Sequence, residues 1–248
     1  MKRLSVLVLC SAILFISGCA QTRNSQSSGG TAATSNVSGA KAETYDRLRD
    51  AGNVLNELMN TPDQAIPQTV LAGAKCVAVV PSMVKGGFIL GARHGRGVAT
   101  CRTGNGWSAP AFFTITGGSW GPQIGVEAVD LVMLFMNEEG TKSLLASKFK
   151  LGADASVAAG PFGRDASAST DVSMKSGILT YSRSRGLFAG LTLNGANVQV
   201  DDESQDAFYG RQMEFANLLT GKVTAPAAAN TFLTSVRTNF REARTGGN

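Results

Sequence analysis

Histidine is almost missing from this sequence: of 248 residues, only His94 is one. Zinc sites draw on His and Cys at short spacings, and a serine relay needs a histidine beside its nucleophile. Cysteine is scarce too, with four in the chain and no C-x-x-C pair. Charged residues make up 17% and aromatic residues 7%. No run of Lys and Arg marks a nucleic-acid footprint, and a formal net charge of +5 is only mildly basic. Neither G-x-x-x-x-G-K-[ST] nor a G-x-G-x-x-G between strand and helix is present to cradle phosphates. The longest apolar run, Leu4 to Ile16, is shorter than the ~20 residues a helix needs to cross ~30 Å of hydrocarbon. Metal enzymes, nucleotide-hydrolysing P-loops and nucleic-acid binders are thereby set aside, and no cofactor is expected.

That apolar run has a role of another kind. Lys2 and Arg3 precede it, and Ile16-Ser17-Gly18-Cys19 closes it. A positive start, a short apolar core and small residues before the cut describe an export signal. The closing tetrapeptide resembles the bacterial lipobox, in which the cysteine thiol accepts a lipid. Residues 1–18 then read as a signal peptide and Cys19 as the lipid attachment point, with the membrane as partner. Each buried CH₂ contributes ~0.8 kcal/mol, so two or more acyl chains hold a protein firmly. Residue 20 is Ala and not the Asp usual in inner-membrane lipoproteins. The resemblance therefore points to the periplasmic face of the outer membrane. Without Lys2 and Arg3 the mature chain carries about +3.

Residues 21–40 are rich in Ser, Gly, Thr, Asn and Ala with one charge, Arg23. Such a stretch buries no core, so 19–40 is expected to be a flexible tether. Residues 41–248, about 200, suffice for one well-buried domain. Cys76 and Cys101 are the cysteines left to it. In an oxidising compartment they either bridge neighbouring strands or stay as two buried thiols.

Within the domain, Tyr45, Leu48, Val54, Leu55, Leu58 and Met59 fall at helical spacing over 41–59, and Pro62 and Pro67 follow. Short β-branched runs come next, at 75–81, 86–93 and 97–103, with His94-Gly95-Arg96-Gly97 read as a hairpin turn. Further strands are expected over 107–115, 123–136, 166–174, 177–182 and 186–200, the last turning at Asn194-Gly195. Helices are expected at 141–148 (entered through Asn137), 206–219 and 228–243. With 29 glycines lying largely in or beside strands, the best-fitting class is α+β. It is a single domain with a strongly curved, mainly antiparallel, barrel-like sheet flanked by N- and C-terminal helices.

Enzymatic chemistry finds few parts. Gly117-Gly118-Ser119-Trp120-Gly121 matches the nucleophile-elbow pattern G-x-S-x-G. The elbow joins a strand to a helix and its histidine follows the serine, whereas His94 precedes Ser119. His94, between Arg93 and Arg96, reads as a solvated loop residue. Glu127 and Asp130 sit three apart in a strand-like run and so point to opposite faces unless a bulge intervenes. They are expected to pair with arginine or cap loop amides, and no enzyme is expected.

The ordered segments AKCVAVVPSMVKGGFILGARHGRGV, GWSAP, IGVEAVDLVMLF, LGADASVAAGPFGR, TYSRSRGLFAGLTLNG and the YG at 209–210 span 74–210. Together they resemble the SYLF domain, a lipid-binding module of eukaryotic endocytic and actin-regulating adaptors that also occurs in bacterial envelope proteins. The resemblance implies binding of phosphoinositide-like headgroups, not catalysis. Family members often use a basic N-terminal helix for this. Here Lys41, Arg47 and Arg49 are outweighed by Glu43, Asp46, Asp50 and Glu57, so that helix is expected to pack on the domain. Actin and polyphosphoinositides are not expected in a periplasm; a generic phospholipid headgroup is. Cations beside the glycine-rich turns are the candidates: Lys85, Arg93, Arg96, Arg183 and Arg185, with Lys148, Lys150 and Arg164 behind them. Lys85, Arg183 and Arg185 match the family motif best. Two readings follow: a lipid-binding module, or a structural or protein-interaction component of the envelope without lipid recognition.

Overall fold

The computed structural model describes residues 29–61, 65–87, 90–120, 125–162, 176–184, 187–189 and 193–245. Its centre is a long antiparallel hairpin, β1 (Cys76–Gly87) with β2 (Leu90–Thr103). β4 (Ala111–Trp120) pairs beside β2, and β5 (Gly125–Phe135) beside β1. The short β3 (Gly106–Trp107) closes on the end of β2. β6 (Lys148–Lys150), β7 (Val157–Ala159), β8 (Ile178–Ser184), β9 (Leu187–Ala189) and β10 (Asn197–Val200) complete the sheet. The strand order is β6-β10-β4-β2-β1-β5-β8-β7, with β3 on β2 and β9 on β8 off that path. Only β7 with β8 runs parallel among the described pairs.

The sheet curls into a half-barrel. Phe135 of β5 and Phe149 of β6 are five steps apart in strand order, which in a flat sheet means roughly 24 Å. Their ring centroids lie 6.4 Å apart. The alternation of side chains then gives two cores, one on each face. The concave face buries Ala78, Val80, Met83, Phe113, Ile115 and Met133. On the convex face Val77, Val79, Val98, Phe112, Val132 and Leu134 meet the helices. α1 (Gly29–Met59) contributes Leu48, Ala51, Leu55 and Leu58, as its spacing predicts. α6 (Asn230–Thr245) adds Phe232, Leu233, Val236 and Phe240, and α2 (Gln68–Gly73) adds Val70 and Leu71. α3 (Glu138–Leu145) is capped by the Asn137 side chain, which accepts from the Gly140 amide at 2.9 Å.

Several expectations are corrected. The 94–97 segment is not a turn: it lies inside β2, and β1 pairs with β2 as far as Gly87 with Gly91. Its glycines are there for space. A Cβ on Gly95 would stand 2.5 Å from Val80 Cγ1, and one on Gly97 2.4 Å from the Phe113 ring. Tight curling presses neighbouring side chains onto the strand backbone. α1 starts at Gly29, so residues 29–40, expected as tether, are helical; Ser38 and Gly39 are exposed. Nothing lies within 4 Å of a Cβ built on Gly39. The helix expected over 206–219 is two: α4 (Asp202–Tyr209) and α5 (Phe215–Leu219). Gly210, at φ 70°, ends the first of them. Asn194-Gly195 forms a turn between Leu193 and Ala196, with Ala196 N–H donating to Leu193 O, but β9 and β10 are not partners. The strand expected at 166–174 falls outside the described residues.

Cys76 and Cys101 face each other across β1 and β2, with both side chains buried, and are joined as a disulfide.

Candidate functional site

A bulge in β1 sets which face each cation occupies. Pro81 stands in a strand with partners on both sides, where its missing N–H is tolerated only at a bulge. Pro81 and Ser82 together oppose Asp130 of β5, Ser82 takes φ 50°, and its N–H donates to Asp130 Oδ1 at 2.9 Å. The extra residue flips the alternation. Met83 and Lys85 therefore continue the concave face, while Val84 joins the convex one.

The cations then divide into two groups. Lys85 lies directly opposite Arg93 on one side and Glu127 on the other, so all three share the concave face at the open end of the sheet. Lys85 Nζ is 3.5 Å from Glu127 Oε2 and its side chain is 23% exposed. Glu127 also accepts from the Ser184 hydroxyl. Arg93 donates to Gly118 O at 2.9 Å, and burial pushes its pKa down from the ordinary guanidinium value.

Arg96 and Arg183 lie on the convex face and hold α1. Arg96 reaches Glu43 at 2.7 Å, with Asp201 at 3.8 Å and Glu203 at 3.9 Å. Arg183 pairs with Glu57. Arg185 and Arg164 lie outside the described residues, as does Cys19. Lys148 and Lys150 are exposed on β6, three strands from β2.

A residue that the charge balance of α1 hid is Arg47. It is 6% exposed and pairs with Asp201, equally buried, at 3.0 Å. It also donates to the Ser204 hydroxyl at 3.1 Å and lies over the Phe112 ring at 5.4 Å. Burial opposes the charge on Asp201. Hydrogen bonds from the Ser204 hydroxyl and amide, and then Arg47, outweigh that and hold its pKa below the usual carboxylate value. Its signal in sequence is the i+3 pattern Asp201–Ser204 at the start of α4, a capping position.

Ser119 lies in β4 paired with Gly91, and the next described element is the strand β5, not the helix a nucleophile elbow requires. His94 is exposed on β2 opposite Val84, on the rim of a cleft of about 340 Å³ between α1 and the sheet. Among the described residues, no group of three or more His, Cys, Asp or Glu could hold a metal, and no helix is long and apolar enough to cross a membrane.

The family model for Ysc84, described as "Las17-binding protein actin regulator", matches residues 116–239. Protein YSC84 of Saccharomyces cerevisiae is 38% identical over 177 residues, covering 69% of this chain and 37% of its own. SH3 domain-containing YSC84-like protein 1 of Homo sapiens is 35% identical over 172 residues, covering 68% and 50%. Its Xenopus laevis counterpart is 34% identical over 189 residues, covering 73% and 56%. The chain thus spans about half or less of the length of the relatives it matches. With a curled sheet closed by helices at both ends and this similarity across the domain, the chain belongs to the Ysc84 family, the family of the SYLF domain.

Proposed function

We propose that this protein is a non-catalytic lipid-binding module, held on the periplasmic face of the outer membrane by an acyl group on Cys19. The anchor rests on the export signal and on Ile16-Ser17-Gly18-Cys19. One observation carries the lipid reading: Lys85 and Arg93 face each other on adjacent strands, with Glu127 beside Lys85 in the same row. Like charges directly opposite repel, and a headgroup phosphate placed between them would be held by charge-assisted hydrogen bonds. Of the cations expected to bind headgroups, Arg96 and Arg183 are instead committed to α1. Among the described residues the reading therefore narrows to Lys85 and Arg93. What the relatives' names say of actin regulation is not extended to this chain.

That two of four described candidates hold the fold favours the other reading, a structural or protein-interaction component of the envelope. Two measurements separate these. Mass spectrometry of the protein extracted from membranes should find Cys19 acylated; an unmodified or absent Cys19 with intact Ala20 contradicts the anchor. Lys85→Gln with Arg93→Gln should weaken binding to anionic vesicles by about 30-fold, as two headgroup contacts of ~1 kcal/mol each imply. Unchanged binding contradicts the headgroup role.

A further inference from the structure

α1 crosses the convex face as a strap. Its Glu43 is held by Arg96 on β2 and its Glu57 by Arg183 on β8. Arg96 of β2 and Arg183 of β8 flank the β1 bulge from either side, Arg183 pairing in register with Asp130, which the bulge residues Pro81 and Ser82 oppose. Fourteen helical residues span roughly 21 Å, and three strand spacings plus two arginine side chains match that length. On one side of the strap the convex face is buried under α1, α2 and α6. On the other side its described residues are exposed.

That end carries Val84 at 47% exposure and Val126 at 77%, with exposed Ala92, Ala128 and His94 beside them. Register places Val84 against Ala128 and Val126 against Gly86, so the valines share the convex face. Two valines this open are unfavourable in water, since a buried valine side chain is worth about 1.5 kcal/mol or more elsewhere in a fold. The opposite face of the same end carries Lys85 and Arg93.

We propose that this exposed end of the sheet enters a bilayer edge-on. Val84 and Val126 sink to the acyl boundary, while Lys85 and Arg93 meet anionic headgroups from the other face. This rests on the lipid-binding reading and specifies its surface. An apolar edge backed by cations fits a membrane interface, where long basic side chains reach up to phosphates while apolar neighbours leave water.

The test uses the chain from Ala20 onward, which keeps the whole described fold, and vesicles of phosphatidylethanolamine and phosphatidylglycerol. Val84→Asp and Val126→Asp should each lower vesicle affinity about tenfold or more, the effect of losing one buried valine. Both sites are exposed, so thermal midpoints should stay at the wild-type value. Val126→Trp should bind more tightly, a gain that misfolding cannot imitate. If the wild type binds while all three variants bind equally well, the edge is wrong and the lipid reading stands. If the wild type binds no vesicle, the lipid reading fails and the edge with it.

Discussion

At the scale of single residues, the buried charges and the in-strand glycines carry the sharpest consequences. Removing Arg47 as Arg47→Met leaves buried Asp201 with only the longer Arg96 contact at 3.8 Å, and since breaking a buried pair outright costs about 3–5 kcal/mol, the loss should approach the lower end of that range. The pair also sets a pH limit. Because the folded Asp201 has a lowered pKa, its contribution is fully present above the ordinary carboxylate value of ~4 and is lost as pH falls through the folded value. Thermal midpoints measured against pH should therefore drop below about pH 4, less steeply in Asp201→Asn, which starts lower. Tyr181 offers a change of opposite sign. Its hydroxyl is buried with no hydrogen-bond partner, and burial pushes its pKa up. Tyr181→Phe should leave stability unchanged or raise it by about 1 kcal/mol, read by urea unfolding. Residue by residue, the sequence was least legible where glycine served packing. Gly95 and Gly97 look like a turn because turns and tight curls both select glycine, and only the Val80 and Phe113 contacts tell them apart. Arg47 was unreadable for a related reason: its partner lies 154 residues away.

At the scale of elements, α1 is a strap with two ion-paired ends and an apolar middle. Glu57→Gln should free its C-terminal end from Arg183 and raise hydrogen exchange there before global stability changes, because exposed or half-exposed pairs add only about 0–1 kcal/mol. Equal exchange in both proteins would mean that packing alone holds the strap. The disulfide is the stronger clamp. It closes a separation of 25 residues, and the chain-entropy model gives about 3–4 kcal/mol for its loss in the paired Cys76→Ala, Cys101→Ala variant. Elements with strong periodicity were legible: α1 over 41–59, β5 and α6 all lie where their patterns place them. α2 was not, since six residues after Pro67 give too short a pattern. Nor was the β1 bulge, although a proline inside a β-branched run is its usual mark.

At the scale of the whole molecule, a half-barrel filled on its concave face and roofed by helices on its convex face leaves one end of the sheet open. The fold class was readable because curvature demands glycine and the terminal helices declare themselves by period. The site was readable only as a set of cations. Which of them the fold uses internally depends on strand register and on a single bulge, and neither is written locally. The central claim is that this domain binds lipid through that open end. Flotation of the chain from Ala20 onward, lacking any acyl group, with anionic and neutral vesicles at low and high salt tests it most directly. The account predicts flotation with anionic vesicles that weakens as salt screens Lys85 and Arg93. Absence of flotation at every composition would contradict it, leaving the acyl chain as the proposed membrane contact and turning attention to protein partners in the envelope.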